Sequence, residues 1–190
     1  MIIGITGRIG SGKGEVAKFF LKKNFVYFTL SDIVRKEAIK RGIKINREEL
    51  QNLGDLIRKE EGSGALVKKL LNKVQPCKNY IIDGIRNPGE INVLRKLKGF
   101  YLIAVDAPQK IRFQRVLRRA KESDPKNWND FLRVDERDFY DKSNPLGQQV
   151  ASCMKMADFI IINDNSIKEL RNNIEKIWKK IKIFEKKKYF

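Results

Sequence analysis

The chain has 190 residues, of which 42% are hydrophobic and 34% are charged, and its formal net charge at pH 7 is +18. This length fits one domain with a sizeable core, and the lack of any run of about twenty apolar residues predicts that no segment spans a membrane. Histidine is absent, which excludes histidine general-base catalysis and histidine metal ligands, and the two cysteines, Cys77 and Cys153, are too far apart for a metal-ligand spacing.

The first predicted element is a buried strand over Ile2–Thr6, which leads into a glycine-rich turn. Residues 7–13 read G-R-I-G-S-G-K and match the phosphate-binding pattern G-x-x-x-x-G-K. A helix follows, with Val16, Phe19 and Phe20 on one face. In this context the backbone N–H groups of the turn and the positive end of the helix bind phosphate oxygens, and Lys13 reaches the outer phosphates.

The residue after the loop lysine is unusual for such a motif. Gly14 stands where Ser or Thr commonly binds Mg²⁺, and Glu15 follows it. We therefore expect Mg²⁺ to be bound mostly through water, near Ser11 and Asp83. The residues predicted to bind the phosphates of ATP are Gly7, Gly10, Ser11, Gly12, Lys13, Gly14 and Glu15.

Four more apolar segments are predicted as strands, and helical patterns separate them. These strands are Phe25–Phe28, Tyr80–Ile82, Tyr101–Val105 and Phe159–Ile162. The alternation predicts an α/β fold, with a five-stranded parallel sheet and helices on both faces. In the last helix, which Asn165-Ser166 is placed to cap, one apolar stripe contains Leu170, Ile174, Ile177, Trp178 and Ile181.

Two segments interrupt this alternation. Residues 31–76 contain about three predicted helices: Ser31 or Asp32 caps the first, Asn46 and Glu49 form a variant capping box for the second, and a break at 62–64 precedes the third. Residues 120–148 are polar and charged. We predict a single domain with its core at 1–30, 77–119 and 149–184, an acceptor-binding helical insertion at 31–76, and a lid at 120–148.

Two acidic–basic pairs follow the second and third predicted strands. Arg35 lies three residues after Asp32, and Arg86 lies three residues after Asp83. Guanidinium groups bind phosphate bidentately, so Arg35 and Arg86 are predicted to bind a second anion opposite the loop. Asp83 is predicted to hold Mg²⁺ through water or to align the acceptor; alternatively, it caps a helix while Arg86 pairs with Glu90. The predicted acceptor-binding residues are Asp32, Arg35, Arg58 and Arg86.

Further arginines follow the fourth strand. Arg115 and Arg119 share one helix face, where their mutual repulsion favours an anion between them, and Arg133 and Arg137 repeat this spacing. Phosphoryl transfer requires such cations, because its transition state spreads negative charge over the equatorial oxygens. A solvated charged face is the alternative. The predicted catalytic residues are Lys13, Asp83, Arg86, Arg119 and Arg137.

Several of these motifs resemble those of known families. The loop in its G-K-G form, the D-I-V-R at 32–35 and the D-G-I-R at 83–86 resemble the adenylate-kinase branch of the nucleoside monophosphate kinases. The segment 83–90 is also similar to the D-x-R-x-P-x-E element of deoxynucleoside monophosphate kinases. Residues 105–119 and 157–163 resemble dephospho-coenzyme A kinases, which implies that Asn163 and Asn165 lie near the ATP base, with Arg115 also contacting ATP. The resemblance implies a three-layer P-loop kinase fold.

The expected activity is transfer of the γ-phosphate of ATP, with Mg²⁺, to a nucleoside or deoxynucleoside monophosphate. One alternative is a dephospho-coenzyme A kinase, whose hydroxyl acceptor needs a base, and Asp32 is the candidate. A second alternative, motivated by the charge, is a nucleic-acid-associated ATPase. We expect a small-molecule nucleotide acceptor rather than nucleic acid or a membrane, and a cytoplasmic protein without a signal peptide; the oligomeric state is open.

Overall fold

The computed structural model describes residues 1–121, 124–141 and 144–187. Five parallel strands form one sheet in the order β2-β3-β1-β4-β5. Their bounds are β1 Ile2–Gly7, β2 Val26–Thr29, β3 Tyr80–Ile85, β4 Phe100–Asp106 and β5 Phe159–Ile162. The predicted five-stranded parallel α/β fold is confirmed, and each predicted strand overlaps an observed one.

Helices connect the strands and cover both faces of the sheet. Among the described residues, none of them is both long and apolar enough to cross a membrane. Their bounds are α1 Lys13–Leu21, α2 Leu30–Lys40, α3 Arg47–Glu61, α4 Ala65–Leu71, α5 Pro88–Leu94, α6 Gln109–Arg119, α7 Trp128–Phe139, α8 Val150–Lys155 and α9 Ile167–Lys187.

Two apolar clusters hold these layers together. On one face, α1 and α9 bury residues such as Phe20 and Ile174 against Ile5 of β1. On the other face, α2 to α5 and α8 pack against β1, β3 and β4, with Leu66 and Ile82 in the interior. Each fully buried aliphatic or aromatic side chain contributes about 1.5–3 kcal/mol to folding. Helices therefore cover both faces of the sheet.

The predicted cap of the first helix in the insertion is wrong. Neither Ser31 nor Asp32 caps α2, because the helix begins at Leu30, and the Thr29 hydroxyl accepts a hydrogen bond from the N–H of Ser31. Thr29 is also the last residue of β2, so α2 starts directly at the strand end. Asp32 lies in the first turn of α2 and Arg35 in the next, beside the edge of the sheet where β1 ends.

The other predicted helix starts agree with the structure. The Asn46 side chain accepts a hydrogen bond of 2.9 Å from the N–H of Glu49 at the start of α3, and the Ser166 hydroxyl accepts one from the N–H of Glu169 at the start of α9. Residues 62–64 separate α3 from α4 as predicted. These caps satisfy helix N–H groups that have no partner within the helix.

Helix α7 packs over the loop that follows β1. Its Phe131 is fully buried with Ile9 of the loop and Val116 of α6 in a small third cluster. The carboxylate of Asp135, also fully buried, accepts hydrogen bonds from Arg112 and from Arg8. Residues 122–123 and 142–143 of the predicted lid lie outside the described residues. The α7 segment is thus tied to the glycine-rich loop by both apolar and ionic contacts.

Candidate functional site

Three adjoining cavities lie along the carboxyl ends of β1, β2 and β3. The first, of about 610 Å³, is lined by the loop after β1 and is called here the loop cavity. The second, of about 300 Å³, is the central cavity; it shares Lys13, Asp83 and Arg119 with the first. The third, the inner cavity, is about 50 Å³ and shares Arg35 and Arg86 with the second. The three cavities thus lie side by side between the glycine-rich loop and the helical insertion, with shared residues in their walls.

The glycine-rich loop has a conformation that requires its glycines. The φ angles of Gly7, Gly10 and Gly12 are +138°, +74° and +104°, in the region that L-residues rarely adopt. A Cβ atom on Gly12 would also lie 2.2 Å from Nδ2 of Asn163, and one on Gly10 would lie 2.4 Å from the Arg112 carbonyl oxygen. The loop therefore curls against its neighbours as a phosphate-binding loop does, with α1 starting at Lys13.

The Lys13 ammonium turns back over this loop. Its Nζ donates hydrogen bonds of 2.7 Å to the Gly7 carbonyl and 2.8 Å to the Arg8 carbonyl. Burial lowers the pKa of Lys13 to about 8, although the nearby Asp83 carboxylate acts in the opposite direction. The ammonium is thus a desolvated cation that gains from an anionic ligand in the cavity beside it.

The loop cavity brings together most residues that were predicted to bind ATP. Nη1 of Arg115 lies 3.4 Å from the Ser11 carbonyl oxygen, and the Asn163 side-chain amide donates a 2.8 Å hydrogen bond to the same oxygen. The contacts tie the end of β5 and helix α6 to the loop. The predicted residues that line this cavity are Gly10, Ser11, Gly12, Lys13, Gly14, Glu15, Arg115, Asn163 and Asn165; Gly7 lines the central cavity instead.

Two buried oxygen atoms beside Lys13 lack a hydrogen-bond partner among the described residues. They are Oγ of Ser11 and Oδ1 of Asp83. The second carboxylate oxygen of Asp83 accepts a 2.9 Å hydrogen bond from the Tyr27 hydroxyl. Burial and the nearby Asp83 carboxylate raise the pKa of Tyr27, so its phenol stays protonated. Hydroxyl and carboxylate oxygens are donors suited to Mg²⁺. These two side chains therefore fit a magnesium ion that takes its other ligands from phosphate and water.

Asp83 does not act as the helix cap that the sequence left open. It lies within β3, and Asn87 caps α5 together with the Glu90 carboxylate. In the described part of the chain, no group of three or more acidic or cysteine side chains is placed to hold a metal ion. A cation at Asp83 accordingly depends on oxygens from a ligand.

The central cavity is predominantly cationic. Among the described residues, three of its four acidic residues pair with cations, and Asp83 does not: Arg35 contacts Asp32 at 2.9 Å, Arg119 contacts Asp124 at 2.5 Å, and Asp138 contacts Arg47 and Arg86. Cations outnumber carboxylates there by six to four. The six cationic residues are Lys13, Arg35, Arg47, Arg86, Arg119 and Lys121, and the four acidic residues are Asp32, Asp83, Asp124 and Asp138.

Asp138 of α7 is the most deeply placed of these carboxylates. Its side chain is 5% exposed and contacts Arg47 and, at 3.4 Å, Arg86. Burial alone would raise the pKa of Asp138, but Arg47, Arg86 and a hydrogen bond from Gln51 outweigh it and lower the pKa. Burial in turn lowers the pKa of Arg47 to about 10, against the opposing effect of Asp138. A carboxylate therefore already balances the cations where the helical insertion meets α7.

Arg58, which was predicted to bind the acceptor, lines the inner cavity, but its charge is already paired within the protein. Its guanidinium is 2% exposed and donates two hydrogen bonds, of 3.0 and 2.9 Å, to Oε1 of Glu90. It also contacts Asp55 at 3.3 Å. Glu90 thus pairs with Arg58 rather than with the Arg86 side chain, which was the alternative for Arg86. Arg58 forms part of the inner cavity wall, and its charge is compensated within the protein.

The lid arginines are separated from the loop. Arg137 donates a 2.7 Å hydrogen bond to Asn52 and lies 3.4 Å from Asp55, and it lines neither the loop cavity nor the central cavity. The structure therefore does not bring Arg137 to the glycine-rich loop, and its catalytic role stays a prediction. Arg133 pairs with Asp130 on an exposed surface. Arg119 lines both cavities, as its predicted role requires, although its present partner is Asp124.

Sequence reasoning missed several polar residues of the central cavity, among them Arg47, Tyr27 and Asp138. One signal existed for Arg47, because a cation at the first position of α3 opposes the helix dipole and calls for another partner. Tyr27 lies on a strand whose apolar and polar residues alternate in the usual way, and Asp138 lies in a helix rich in charged residues. The sequence around each residue is therefore what a solvent-exposed position would also show.

A parallel sheet in this order, with a G-x-x-x-x-G-K loop between its central strand β1 and helix α1, is the arrangement of P-loop nucleotide-binding folds. The protein is a member of the UPF0200 family: it is 36% identical over 188 residues to the UPF0200 protein PH1008 of Pyrococcus horikoshii, covering 95% of this chain and 97% of the relative. It is 33% identical over 184 residues to a UPF0200 protein of Methanococcus maripaludis, covering 95% and 97%. Residues 3–140 also match the family described as AAA domain.

The solved structures support the fold. Shikimate kinase from Bacteroides thetaiotaomicron is similar with a TM-score of 0.57 and 15% identity, covering 96% of this chain and 98% of that one. At this low identity the likeness concerns the fold alone.

Proposed function

We propose that this protein transfers the γ-phosphoryl group of ATP to a nucleoside or deoxynucleoside monophosphate. One observation carries the proposal: Gly7, Ile9 and Lys13 of the glycine-rich loop and a second set of cations that includes Arg35 and Arg86 line the same central cavity. Two anionic reactants can thus meet there, and the inner cavity beyond Arg86 has room for an uncharged part of the acceptor.

The donor is held on the side of the loop. Backbone N–H groups of the glycine-rich loop and the start of α1 bind the β- and γ-phosphates, and the Lys13 ammonium exchanges its carbonyl partners for phosphate oxygens. Asn163, which is bonded to the loop, and Asn165 lie beside the nucleoside end of the cavity. Mg²⁺, where bound beside Ser11 and Asp83, supplies charge neutralisation of the transferring phosphoryl group.

The acceptor is held by arginines. Arg86 and Arg35 bind its phosphate in place of their present carboxylate partners, Asp138 and Asp32. Its phosphate oxygen is already anionic, so it attacks the γ-phosphorus without a general base. The absence of histidine from the sequence is consistent with a reaction that needs no general base. Arg119 lines both the loop cavity and the central cavity, so its guanidinium is placed to stabilise charge on the group in transit.

A coupled assay of ATP consumption across ribo- and deoxyribonucleoside monophosphates, with dephospho-coenzyme A and shikimate included, tests this proposal. The product is confirmed as a nucleoside diphosphate by anion-exchange chromatography. Turnover with a monophosphate well above ATP hydrolysis in its absence is the expected result. ATP hydrolysis that no acceptor stimulates would contradict the proposal.

A hydroxyl acceptor, as in dephospho-coenzyme A, is the second candidate. The observation that favours it is the position of Asp32, which lines the central cavity with its side chain 58% exposed. A carboxylate in that position can accept the proton of an attacking hydroxyl group. The two candidates differ in whether Asp32 takes part in the proton transfer.

A further inference from the structure

The inner cavity contains two glutamine side chains whose orientation is determined by charged partners. Gln51 of α3 and Gln148, which precedes α8, each have only 4% of their surface exposed, and both line the cavity. A buried side-chain amide normally satisfies both its oxygen and its nitrogen. In the described part of the chain, Gln51 hydrogen-bonds through its nitrogen and Gln148 through its oxygen. The second polar atom of each amide is not among the enclosed atoms that lack a partner, so it is accessible to a ligand in the cavity.

Gln51 presents a free acceptor. Its Nε2 donates a 2.6 Å hydrogen bond to Oδ1 of Asp138, and a carboxylate only accepts, so the nitrogen must face Asp138. The remaining atom, Oε1, has no hydrogen-bond partner among residues 1–121, 124–141 and 144–187. Asp138 also excludes the flipped orientation of the Gln51 amide, in which the Gln51 oxygen would face a carboxylate oxygen.

Gln148 presents a free donor. Its Oε1 accepts a 2.7 Å hydrogen bond from Nη1 of Arg86, and a guanidinium only donates, so the oxygen must face Arg86. Its Nε2 has no partner in the described segments. Because the same Nη1 also contacts Asp138, which accepts from Gln51, one chain of polar contacts fixes both amides.

The rest of the wall and the size of the cavity limit what these groups meet. Leu30, Val34, Leu50 and Leu66 provide apolar surface beside the two amides. A cavity of about 50 Å³ corresponds to roughly three to five water positions, the space of one small ring system. Arg35 and Arg86 line both this cavity and the central cavity, so a ligand with its ring inside would have an attached phosphate close to these arginines.

We propose that Gln51 Oε1 and Gln148 Nε2 recognise the polar edge of a nucleobase on the acceptor, through one hydrogen bond accepted and one donated. This inference rests on the proposed function for the placement of the acceptor phosphate, and it adds that the base is recognised by contact. A nucleobase offers adjacent donor and acceptor groups at one edge of a flat ring, and the apolar walls match its faces. A sugar phosphate without a base leaves both amides unpaired.

The test compares ligands by calorimetric binding to the full chain without ATP. The probes are the four common nucleoside 5′-monophosphates and ribose 5-phosphate, and the readout is the ratio of the tightest monophosphate affinity to that of ribose 5-phosphate. Two hydrogen bonds in a buried site predict a ratio of roughly 10 to 100. A ratio near one in the parent protein overturns the inference.

The variant Gln148→Glu keeps an oxygen for Arg86 and removes the donor. Its added charge weakens the binding of both ligand types near Arg86, so the ratio isolates the contact with the base. We expect the ratio to fall at least fivefold. Gln75→Glu, in an exposed segment that follows α4, makes the same change of charge away from the cavities and should leave the ratio unchanged. An unchanged ratio in a folded Gln148→Glu protein overturns the inference.

A comparison of ligands on the parent protein tests the inference even if the Gln148→Glu variant does not fold. Purine riboside 5′-monophosphate lacks the exocyclic polar group of adenosine monophosphate but keeps its ring and phosphate. If the purine is the preferred base, the affinity should fall about tenfold for the analogue; for a preferred pyrimidine, the zebularine monophosphate serves in the same way. Equal affinities overturn the inference.

The outcomes separate this inference from the proposed function. Equal phosphoryl transfer to ribose 5-phosphate and to nucleoside monophosphates would retain the kinase reaction and overturn recognition of the base. A high affinity ratio that Gln148→Glu abolishes, without any phosphoryl transfer, would support the base contact and overturn the proposed reaction.

Discussion

Oδ1 of Asp138 on α7 lies 3.4 Å from Nη1 of Arg86 at the end of β3. This contact joins the charged helix over the glycine-rich loop to the arginine proposed to bind the acceptor. A carboxylate thus occupies part of the space that an acceptor phosphate would take, and it stabilises the cations that a phosphate would otherwise neutralise. The same guanidinium groups therefore contribute both to the stability of the protein and to ligand binding in the central cavity.

Replacing Asp138 with Asn should therefore destabilise the protein and strengthen anion binding. Loss of the carboxylate leaves Arg47 and Arg86 without a charged partner, at a cost of about 2–4 kcal/mol in the free energy of unfolding. Inorganic phosphate should recover much of that loss in the variant. Chemical denaturation with and without phosphate measures both effects. A variant as stable as the parent, with the same response to phosphate, would rule out this role.

The same carboxylate predicts a pH dependence. The pKa of Asp138 is lower in the folded protein than in the unfolded chain, so the unfolded chain binds the proton more readily. Its contribution to stability is complete above the ordinary Asp pKa and is lost as the pH falls through the lower value in the folded state. Denaturation curves between pH 7 and pH 3 should show a smaller acid loss in Asp138→Asn than in the parent.

Lys13 predicts how ATP affinity depends on pH. Burial lowers its pKa to about 8, and a bound triphosphate favours the charged form, so binding above pH 8 must also take up a proton. The dissociation constant for ATP should rise with pH above 8, by at most about tenfold per unit. Calorimetry at pH 7, 8 and 9 checks this. In the Lys13→Met protein, the dissociation constant for ATP should not show this rise above pH 8. If it rises equally with pH in both proteins, the proton is taken up by another group.

Arg58 and Arg133 provide a matched pair for separating structural from surface arginines. Arg58→Met leaves Glu90 buried without its cation, and we expect a loss of about 3–5 kcal/mol. Arg133 pairs with Asp130 on the surface, with 77% of its side chain exposed, so Arg133→Met should alter stability by less than about 0.5 kcal/mol. Denaturant midpoints measure both. Similar losses in the two variants would contradict the assignment of Arg58 to the interior.

The fold could be predicted from the sequence because its signals are local. The five apolar segments, the G-x-x-x-x-G-K loop and the stripe of α9 each depend on spacing within a short window, and each lies in the predicted type of element. The cap of α2 could not be predicted in the same way, because Thr29, Ser31 and Asp32 are all good caps. The choice of Thr29 depends on where pairing with β3 ends.

The cavity residues could be predicted where they follow a strand pattern or share a helix face. Arg35 and Arg86 stand after strand patterns, and Arg115 and Arg119 share one face of α6, whereas the present partners of Arg58 and Arg137 could not be predicted. Their carboxylate partners, Glu90 and Asp55, lie tens of residues away in sequence. The amides of the inner cavity have no sequence signal either, since a buried glutamine and a solvated one are identical in sequence.

Asp32 distinguishes the two classes of acceptor. If the acceptor is a phosphate, Asp32→Asn removes a charge beside Arg35 and should change turnover only a few-fold, because no proton needs to be removed. If the acceptor is a hydroxyl, loss of the base should lower kcat by about 10²- to 10⁴-fold. Steady-state kinetics with each acceptor that proves active measures this. A loss of the same modest size on every acceptor would count against Asp32 as a base.

The most direct test of two anions meeting in the central cavity is a pair of affinities measured on the variant Arg86→Met. Calorimetric titration with ATP and, separately, with the preferred nucleoside monophosphate gives both values, and circular dichroism confirms the fold. We predict that affinity for the monophosphate falls at least about 50-fold, from loss of a charge-assisted contact, while ATP affinity changes less than threefold. Equal weakening of both ligands, or undiminished monophosphate binding, would contradict the assignment of Arg86 to the acceptor.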